Sequence, residues 1–337
     1  MDDPLPFISV IMPVCNEGVC IEKVLNQVME QCYPEDRYEI LVVDGMSTDN
    51  TVEIVENFGA RIKNLKILVN PCRRSSVARN IGIKSSRGEY LIILDGHVYL
   101  PSRNLFADMV KSFQATGLEV LCRPQPLVPP DNSNFQSAVA YARGSAIGHG
   151  LDSNIYNIRY EGEIDPSSSG AMYRRTIFEN VGYIDEGFDA AEDYEFNYRL
   201  SRKGYRSYTS PKLTVYYYPR DSLAGLFKQM GRYGLGRYRL MKKHREQILS
   251  GNLIPPLFFL VLAMLTGFSI FRPSFRPFAA GLGASYLGII FAVSILISFK
   301  KGLRYLLLLP IIFFTIHFGL ASGFLAGFIR KNKQVLG

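Results

Sequence analysis

Acidic residues are nearly absent from the last third of this 337-residue chain. Residues 221–337 contain only Asp221 and Glu246 against 15 Lys and Arg, a net charge of +13, whereas residues 1–220 carry a net charge of −5. The basic balance of the chain therefore belongs to its C-terminal part, where Lys and Arg flank apolar runs. Nucleic-acid-binding proteins more often carry the basic patch on the folded domain. We therefore expect these cations to meet membrane lipids, and we expect no nucleic acid as a partner.

Cysteine patterns typical of disulfide frameworks and zinc sites are also missing. The five cysteines are an odd number, and no Cys-x-x-Cys spacing occurs. All five lie in the first half of the chain, which fits a reducing cytoplasm. The opening segment MDDPLP is acidic and lacks the apolar core of a signal peptide, so we expect the first domain to remain in the cytoplasm. No Gly-x-Gly-x-x-Gly follows the first predicted strand, which argues against a dinucleotide dehydrogenase.

Short apolar runs alternate with helical patterns in the first half of the chain. The predicted strands are FISVIMPV (7–14), EILVVDG (39–45), LKILVN (65–70) and EYLIILDG (89–96). The predicted helices cover 17–32 behind a candidate cap at Asn16, a segment ending near Phe58, and about 76–86. This order predicts an α/β domain with a mostly parallel sheet covered by helices. Ligands bind at the carboxyl ends of the strands in such sheets, and Asn16, Asp44 and Asp95 each follow a strand.

Three long apolar stretches end the chain, at about 253–271, 278–298 and 303–329. Each reaches the ~20 residues that a membrane-spanning helix needs. The basic, amphipathic residues 222–249 precede them; this segment either lies in the membrane interface or packs on the domain as an ordinary amphipathic helix. Ten Lys and Arg flank the predicted cytoplasmic ends against five on the other side. We therefore predict a cytoplasmic catalytic domain (1–220), an interfacial segment (221–250) and a multi-pass anchor (251–337) in the cytoplasmic membrane.

Four sequence blocks carry candidate chemistry. They are PVCNE (13–17), VVDGMSTDNT (42–51), ARNIGIKSSRGEYLIILDGH (78–97), and GAMYRR (170–175) followed by DEGFDAAEDYEFNYRL (185–200). In this order and spacing they resemble the family 2 glycosyltransferases, and the resemblance extends over residues 7–240. The apolar tail, the Asp-Gly-His variant and the pair His149–Gly150 are most similar to bacterial exopolysaccharide glycosyltransferases of the succinoglycan type.

The resemblance implies the Rossmann-like GT-A fold and a nucleotide-sugar pocket. The residues that it assigns to this pocket are Pro13, Asn16, Glu17, Asp44, Arg79 and Asp95. Asp95 stands where the metal-binding Asp-x-Asp of the family begins, but the third position is His97. A carboxylate with an imidazole still forms a divalent-cation site, with a preference shifted from Mg²⁺ towards Mn²⁺ because imidazole is the softer ligand. The alternative is that Asp95 only ends a strand and His97 is a surface residue.

The same resemblance assigns the catalytic and acceptor residues. Glu192 and Asp193 match the Glu-Asp pair that supplies the general base, and we expect Asp193 to be that base; otherwise both acids only cap a helix. The acceptor wall is expected to contain Gly170, Tyr173 and Arg174. The residues that resemble the Gln-x-x-Arg-Trp motif, which holds the acceptor and the diphosphate in processive relatives, are Gln229, Arg232 and Tyr233, with Tyr in place of Trp.

The sequence therefore predicts an inverting glycosyltransferase of the hexosyltransferase type. Its donor is a nucleotide-diphosphate sugar, with a UDP-sugar favoured, and its acceptor is a lipid-linked saccharide of polysaccharide biosynthesis. Three alternatives stay open: a processive polysaccharide synthase, a polyprenyl-phosphate sugar transferase, and an inactive subunit that binds sugar nucleotide.

Overall fold

The computed structural model describes residues 5–129, 133–149, 155–246 and 253–329. These residues form two compact units. The first contains the described residues up to Leu127 and those from 155 to Tyr218. The second contains those from Val128 to His149 and those from Pro219 onward. Gly150 of the His149–Gly150 pair lies outside the described residues. The predicted flanking cations Arg330, Lys331 and Lys333 also lie outside them.

The first unit is built on an eight-stranded sheet with the order β3-β2-β1-β4-β8-β6-β9-β7. A separate antiparallel ribbon joins β5 to β10. The strands are β1 Ile8–Val14, β2 Tyr38–Asp44, β3 Leu65–Val69, β4 Tyr90–Ile93, β5 Val98–Tyr99, β6 Val120–Cys122, β7 Gly162–Ile164, β8 Gly170–Arg174, β9 Ser207–Thr209 and β10 Tyr216–Tyr217. The first four strands are parallel, as predicted, whereas β8 runs antiparallel to β4 and to β6. Every residue of β1 and β2 is buried, which explains why both strands are mostly apolar. The buried polar pair Ser9 and Glu39 is hydrogen-bonded, with Ser9 Oγ donating to Glu39 Oε1 at 2.7 Å.

Helices cover this sheet and place the loops at its carboxyl edge. They are α1 Ile21–Met29, α2 Thr51–Gly59, α3 Ser75–Ser85, α4 Leu105–Thr116, α7 Thr176–Val181 and α8 Glu192–Arg202. The predicted cap at Asn16 was wrong, because α1 begins later, behind Cys20. Asn16 instead adopts a left-handed backbone conformation with φ 56° in the loop after β1. It therefore serves the loop and not the helix.

The second unit is helical. Its helices are α5 Asn134–Arg143, α6 Ala146–His149, α9 Leu223–Lys243, α10 Ile254–Phe271, α11 Arg276–Lys301 and α12 Leu308–Ile329. The last three are long and apolar enough to cross a membrane. Their core is shared with α5, since the Ala138, Val139 and Ala142 side chains pack in one cluster with α9 and α12. No pattern in residues 134–149 predicted that they belong with the apolar tail.

Helix α9 packs along α12 through glycines. A Cβ on Gly323 would lie 2.0 Å from the backbone oxygen of Gly231, and a Cβ on Gly327 would lie 2.3 Å from the Tyr238 ring. A Cβ on Gly234 would likewise lie 2.1 Å from the backbone oxygen of Leu320. Small residues let helix backbones approach this closely in lipid. The glycines Gly319, Gly323 and Gly327 repeat every four residues in the sequence and predict a helix-packing face. In the structure α9 covers this face of α12, while the location of α9 at a membrane interface stays a prediction.

Candidate active site

The loops after β1 and β2 are joined by side-chain hydrogen bonds. Asn16 Oδ1 accepts from the Thr48 amide at 2.8 Å, and the Asn16 amide donates to Ser47 Oγ at 2.9 Å. Asp44 accepts from the Ser47 hydroxyl at 2.5 Å and from the Ser47 amide. These contacts bring Asn16 and Asp44, both predicted to bind the nucleotide, to one edge of the sheet. Pro13 lies just below them, buried in β1.

Within the described part of the chain, four residues other than glycine have left-handed backbones: Asn16, Met46, Arg73 and Ala191, all with φ between 56° and 62°. Asn16 and Met46 follow β1 and β2, Arg73 precedes α3, and Ala191 precedes α8. A left-handed conformation costs roughly 1–2 kcal/mol for a residue with a Cβ. Such strain is concentrated at functional sites, where the surrounding structure maintains it. The strained positions therefore mark the loops that carry the predicted site residues.

Arg79 joins two acids that are far apart in the sequence. Its Nη2 lies 3.4 Å from Asp95 Oδ1 and 3.5 Å from Glu192 Oε1, and its Nε donates to Ser75 Oγ at 3.2 Å. The Arg79 side chain is only 12% exposed. The structure thus brings together three residues that the resemblance assigned to the nucleotide-sugar pocket, the metal site and catalysis. The roles themselves stay predictions.

Burial and charge act in opposite directions on these two carboxyl groups. Burial by itself would raise the pKa of Asp95, but the cation of Arg79, followed by His97 and Arg123, holds it below its usual range. Burial raises the pKa of Glu192, and the charge of Arg79 only partly opposes this rise. Asp95 is therefore the firmly ionised member of the pair, as a ligand for a cation must be.

Two residues that the sequence analysis missed hold Asp95 from the other side. Tyr217 donates its hydroxyl to Asp95 Oδ2 at 2.8 Å and accepts from Arg123 Nη2 at 2.8 Å. Arg123 is 2% exposed and donates through Nη1 to the Ile93 carbonyl at 2.7 Å. These bonds fix the carboxylate at the end of β4 in one orientation.

His97 lies two residues beyond Asp95 and contacts the loop after β1. Its Nδ1 is 2.8 Å from Glu17 Oε1. Glu17 was predicted to line the nucleotide pocket. In the structure its carboxylate lies beside the imidazole of His97. Asp95, His97 and Glu17 therefore form a polar group at the carboxyl edge of the sheet.

These side chains fit a divalent cation that is shared with a substrate. Among residues 5–129, 133–149, 155–246 and 253–329, no group of three or more His, Cys, Asp and Glu converges as a complete ligand set. Asp95 and His97 supply the carboxylate and imidazole donors that suit Mn²⁺. A cation held by one or two protein ligands takes its other ligands from substrate phosphates and water. The residues present thus suit a metal that binds together with a diphosphate.

Helix α8 presents its two leading acids differently. Glu192 is 6% exposed and faces Arg79, whereas Asp193 is exposed. The left-handed backbone of Ala191, with φ 62° and ψ 22°, starts the helix at this point. Asp193 is therefore the acid that a second substrate can reach.

The segment before α8 is attached to α3. The Asn80 amide donates to the Ile184 carbonyl and to Glu186 Oε1, both at 2.8 Å, and its oxygen accepts from the Ile184 amide. Ser76 Oγ donates to the Phe188 carbonyl at 2.7 Å. Asn80 is 3% exposed. Because α3 also carries Arg79, one helix positions both the guanidinium and the start of α8.

The predicted acceptor residues of β8 lie in different places. Gly170 begins the strand under α8, where a Cβ would lie 2.6 Å from Asn197 Oδ1. Tyr173 is buried and donates its hydroxyl to the Gly170 carbonyl and Asn197, so it supports α8 from below. Arg174 pairs with Tyr90 at the start of β4 and lies 4.0 Å from Glu89, at the opposite edge of the sheet from Asp95. The structure does not bring Arg174 to the other site residues, and we leave it out of the proposed site.

The predicted Gln-x-x-Arg-Tyr residues lie on α9 in the second unit. Gln229 Nε2 is 3.5 Å from the Tyr233 hydroxyl, and Arg232 is exposed. The buried Arg143 of α5 places its guanidinium 5.7 Å from the centre of the Tyr233 ring. Tyr233 is thus in contact with a polar and a cationic neighbour within this unit.

Comparisons with known proteins agree with this fold and these sequence blocks. The sequence profile described as Glycosyl transferase family 2 matches residues 9–182, and that of Glycosyl transferase family group 2 matches residues 153–326. The chain is 30% identical to the succinoglycan biosynthesis protein ExoA of Rhizobium meliloti over 268 residues, 77% of this chain and 79% of that protein.

Two archaeal proteins extend the comparison along the chain. The chain is 29% identical over 332 residues, 97% of its length and 98% of the other, to a dolichyl N-acetyl-α-D-glucosaminyl phosphate 3-β-D-2,3-diacetamido-2,3-dideoxy-β-D-glucuronosyltransferase of Methanococcus voltae. The fold of the present chain resembles that of the mannosyltransferase PcManGT of Pyrobaculum calidifontis, solved with GDP-Man and Mn²⁺. The TM-score between the two structures is 0.61 at 20% sequence identity, and the match covers 97% of this chain and 88% of the mannosyltransferase. The chain therefore belongs to glycosyltransferase family 2 and is a nucleotide-sugar-dependent glycosyltransferase with the GT-A fold.

Proposed function

We propose that this chain transfers one sugar from a nucleotide-diphosphate sugar to a lipid-linked saccharide in polysaccharide biosynthesis, with inversion at the anomeric carbon. The proposal rests on the different burial and charge of the three acids around Arg79. Its cation lies between the ionised Asp95 and the buried Glu192, while Asp193 is exposed beside them. Positive charge for a leaving diphosphate and an accessible base for a hydroxyl are thus available at one edge of the sheet.

The chemistry follows from these positions. Asp193 removes the proton of the acceptor hydroxyl while that oxygen attacks the anomeric carbon. The bond from this carbon to the diphosphate breaks on the opposite face, so no covalent intermediate with the protein forms. Arg79 stabilises the charge that grows on the leaving diphosphate. A divalent cation on Asp95 and His97, Mn²⁺ or Mg²⁺, would supply further charge stabilisation there.

The lipid acceptor and the membrane location belong to the same proposal. The relatives include a transferase whose name specifies a dolichyl phosphate-linked sugar and a succinoglycan biosynthesis protein. Helices α10 and α11 expose large apolar side chains, among them Phe271 at 82% and Phe299 at 76%, as lipid-facing helices do. We propose residues 1–220 as the catalytic domain, 221–250 as an interfacial segment and 251–337 as the membrane anchor. The catalytic domain would face the cytoplasm, with a UDP-sugar as the favoured donor.

A donor and acceptor screen tests this proposal. Full-length protein in detergent is incubated with UDP-, GDP- and dTDP-sugars, with Mn²⁺ or EDTA, and with extracted lipid-linked saccharides. We expect metal-dependent release of one nucleoside diphosphate and a lipid product that is heavier by a single sugar. Long polymer would indicate a processive synthase, and transfer to bare polyprenyl phosphate would indicate the other transferase class. No nucleotide release with any donor would indicate an inactive subunit.

A further inference from the structure

The Glu17 side chain passes close to Gly96 and contacts the imidazole of His97. The backbone amide of Glu17 donates to Thr51 Oγ1 at 2.8 Å, which fixes the start of the side chain. The carboxylate then lies 2.8 Å from His97 Nδ1. A Cβ on Gly96, the residue between Asp95 and His97, would lie 2.9 Å from Glu17 Cγ. A side chain at the middle position of the Asp-Gly-His segment would therefore displace Glu17 from its present position.

The contact determines which ring nitrogen of His97 carries the proton. An ionised carboxylate only accepts hydrogen bonds, so the neutral imidazole facing it must hold its hydrogen on Nδ1. The lone pair of the ring then lies on Nε2, the nitrogen on the far side of the ring from Glu17. Histidines that bind metals commonly donate their second N–H to a carboxylate in this way, which fixes both the tautomer and the ring orientation.

We propose that Glu17 is a positioning residue for His97, holding the imidazole in the Nδ1–H tautomer so that Nε2 can bind the divalent cation of the donor diphosphate. This rests on the metal-assisted transfer proposed above. It gives Glu17 a different task from direct contact with the nucleotide.

The tautomer can be measured without metal, donor or acceptor. Full-length protein with ¹⁵N-labelled histidine rings is studied by NMR in detergent at a pH where the rings are neutral. The chain has four histidines, and His97→Gln identifies the signal of interest. We expect the Nδ1–H form for His97 in the wild type and a mixture of tautomers in Glu17→Gln, whose amide both donates and accepts. The Nε2–H form in the wild type, or an unchanged signal in Glu17→Gln, overturns the proposal.

Mn²⁺ affinity, measured by electron paramagnetic resonance with a saturating nucleoside diphosphate, tests the consequence for the metal. Loss of such an outer carboxylate typically lowers metal affinity ~10–100-fold, and we expect this loss for Glu17→Gln. Gly96→Ala should give a similar loss, since the added methyl group displaces Glu17. Glu22→Gln, an exposed acid on α1, is the control and should leave Mn²⁺ affinity unchanged.

A double variant separates positioning from direct binding. In a His97→Asp background the ligand has no tautomer to fix, and Glu17 only repels the new carboxylate. Glu17→Gln should then leave Mn²⁺ affinity unchanged or raise it. An equal loss in the wild-type and His97→Asp backgrounds would show that Glu17 binds the metal or nucleotide itself, which contradicts the proposal. Since the NMR measurement requires no substrate, failure of the proposed transfer reaction leaves this inference separately testable.

Discussion

Arg79 Nη2 lies 3.5 Å from Glu192 Oε1, so a buried cation of α3 meets the first residue of α8. The two residues are far apart in the sequence and are brought together by the hydrogen bonds of Asn80 to the segment before α8. Glu192 is buried and its neighbour Asp193 is exposed, and we propose that Asp193 is therefore the acid that faces the acceptor.

Arg79→Met should destabilise the protein strongly. It leaves Glu192 as a buried carboxylate without its main cation, and breaking a buried ion pair from one side costs ~3–5 kcal/mol. Denaturant unfolding measures the loss. The control is Arg103→Met, which breaks the exposed pair with Glu30 and should cost less than ~1 kcal/mol. Equal losses in the two variants would contradict a buried role for Arg79.

The stability contribution of Glu192 should fall as the pH rises. Burial raises the pKa of Glu192 above its ordinary 4.5, so the folded protein holds this proton more tightly than the unfolded chain does. Stability therefore decreases as the pH rises from about 4.5 through the folded pKa, and it levels off above that point. Unfolding of the wild type and Glu192→Gln across this range measures the difference. A difference that grows with pH would mean that the pKa of Glu192 is lowered in the folded state.

Ala191 should tolerate glycine but not valine. Its left-handed backbone costs a residue with a Cβ roughly 1–2 kcal/mol, and a β-branched side chain fits this conformation worst. We expect Ala191→Gly to keep or slightly raise the free energy of unfolding. Ala191→Val should lower it by ~1–3 kcal/mol and reduce turnover more than donor affinity, because the start of α8 shifts.

The matched control for Ala191→Val is Ala115→Val. Ala115 is exposed in α4, where the same substitution costs no more than ~0.7 kcal/mol of helix propensity. If both valine variants lose the same small amount, the backbone at Ala191 is not strained as described.

Gly323→Ala should separate α9 from α12. The added Cβ would lie 2.0 Å from the backbone oxygen of Gly231, which cannot rotate away. Overpacking of this kind costs ~1–3 kcal/mol, and the thermal transition of the detergent-solubilised protein should shift down accordingly. Gly283→Ala is the control, since a Cβ there has no heavy atom within 4 Å. Identical transitions for the two variants would show that the helices do not pack through Gly323.

The sequence predicted the first strands of the sheet well because each strand is marked by a continuous stretch of its own residues. The mostly apolar runs at 7–14 and 39–45 correspond to Ile8–Val14 and Tyr38–Asp44, which are buried along their whole length. The apolar stretch at 253–271 likewise corresponds to Ile254–Phe271. Parallel strands place their carboxyl ends at one edge, so residues that follow such strands could be expected to meet there.

Contacts between distant short elements could not be predicted in this way. Tyr217 reaches Asp95 from a strand of two residues, Tyr216–Tyr217, which is too short to give a periodic pattern. Arg123 follows β6, and no sequence motif marks it. It is buried, and its hydrogen bond to the Tyr217 hydroxyl makes it part of the same hydrogen-bonded group. The glycine repeat of α12 indicated a packing face but not its partner, because nothing in a repeat specifies the opposing helix.

Comparing the turnover of Asp193→Asn with that of Glu192→Gln tests the assignment of Asp193 as the general base. Asn keeps the shape of Asp but cannot accept the proton of the acceptor hydroxyl, and loss of a general base typically lowers the rate ~10²–10⁴-fold. Transfer is measured at saturating donor, and donor affinity is measured separately by calorimetry. We expect Asp193→Asn to lose turnover in that range with donor affinity nearly unchanged, and Glu192→Gln to lose less turnover. Normal turnover in Asp193→Asn, with or without loss in Glu192→Gln, would contradict this assignment.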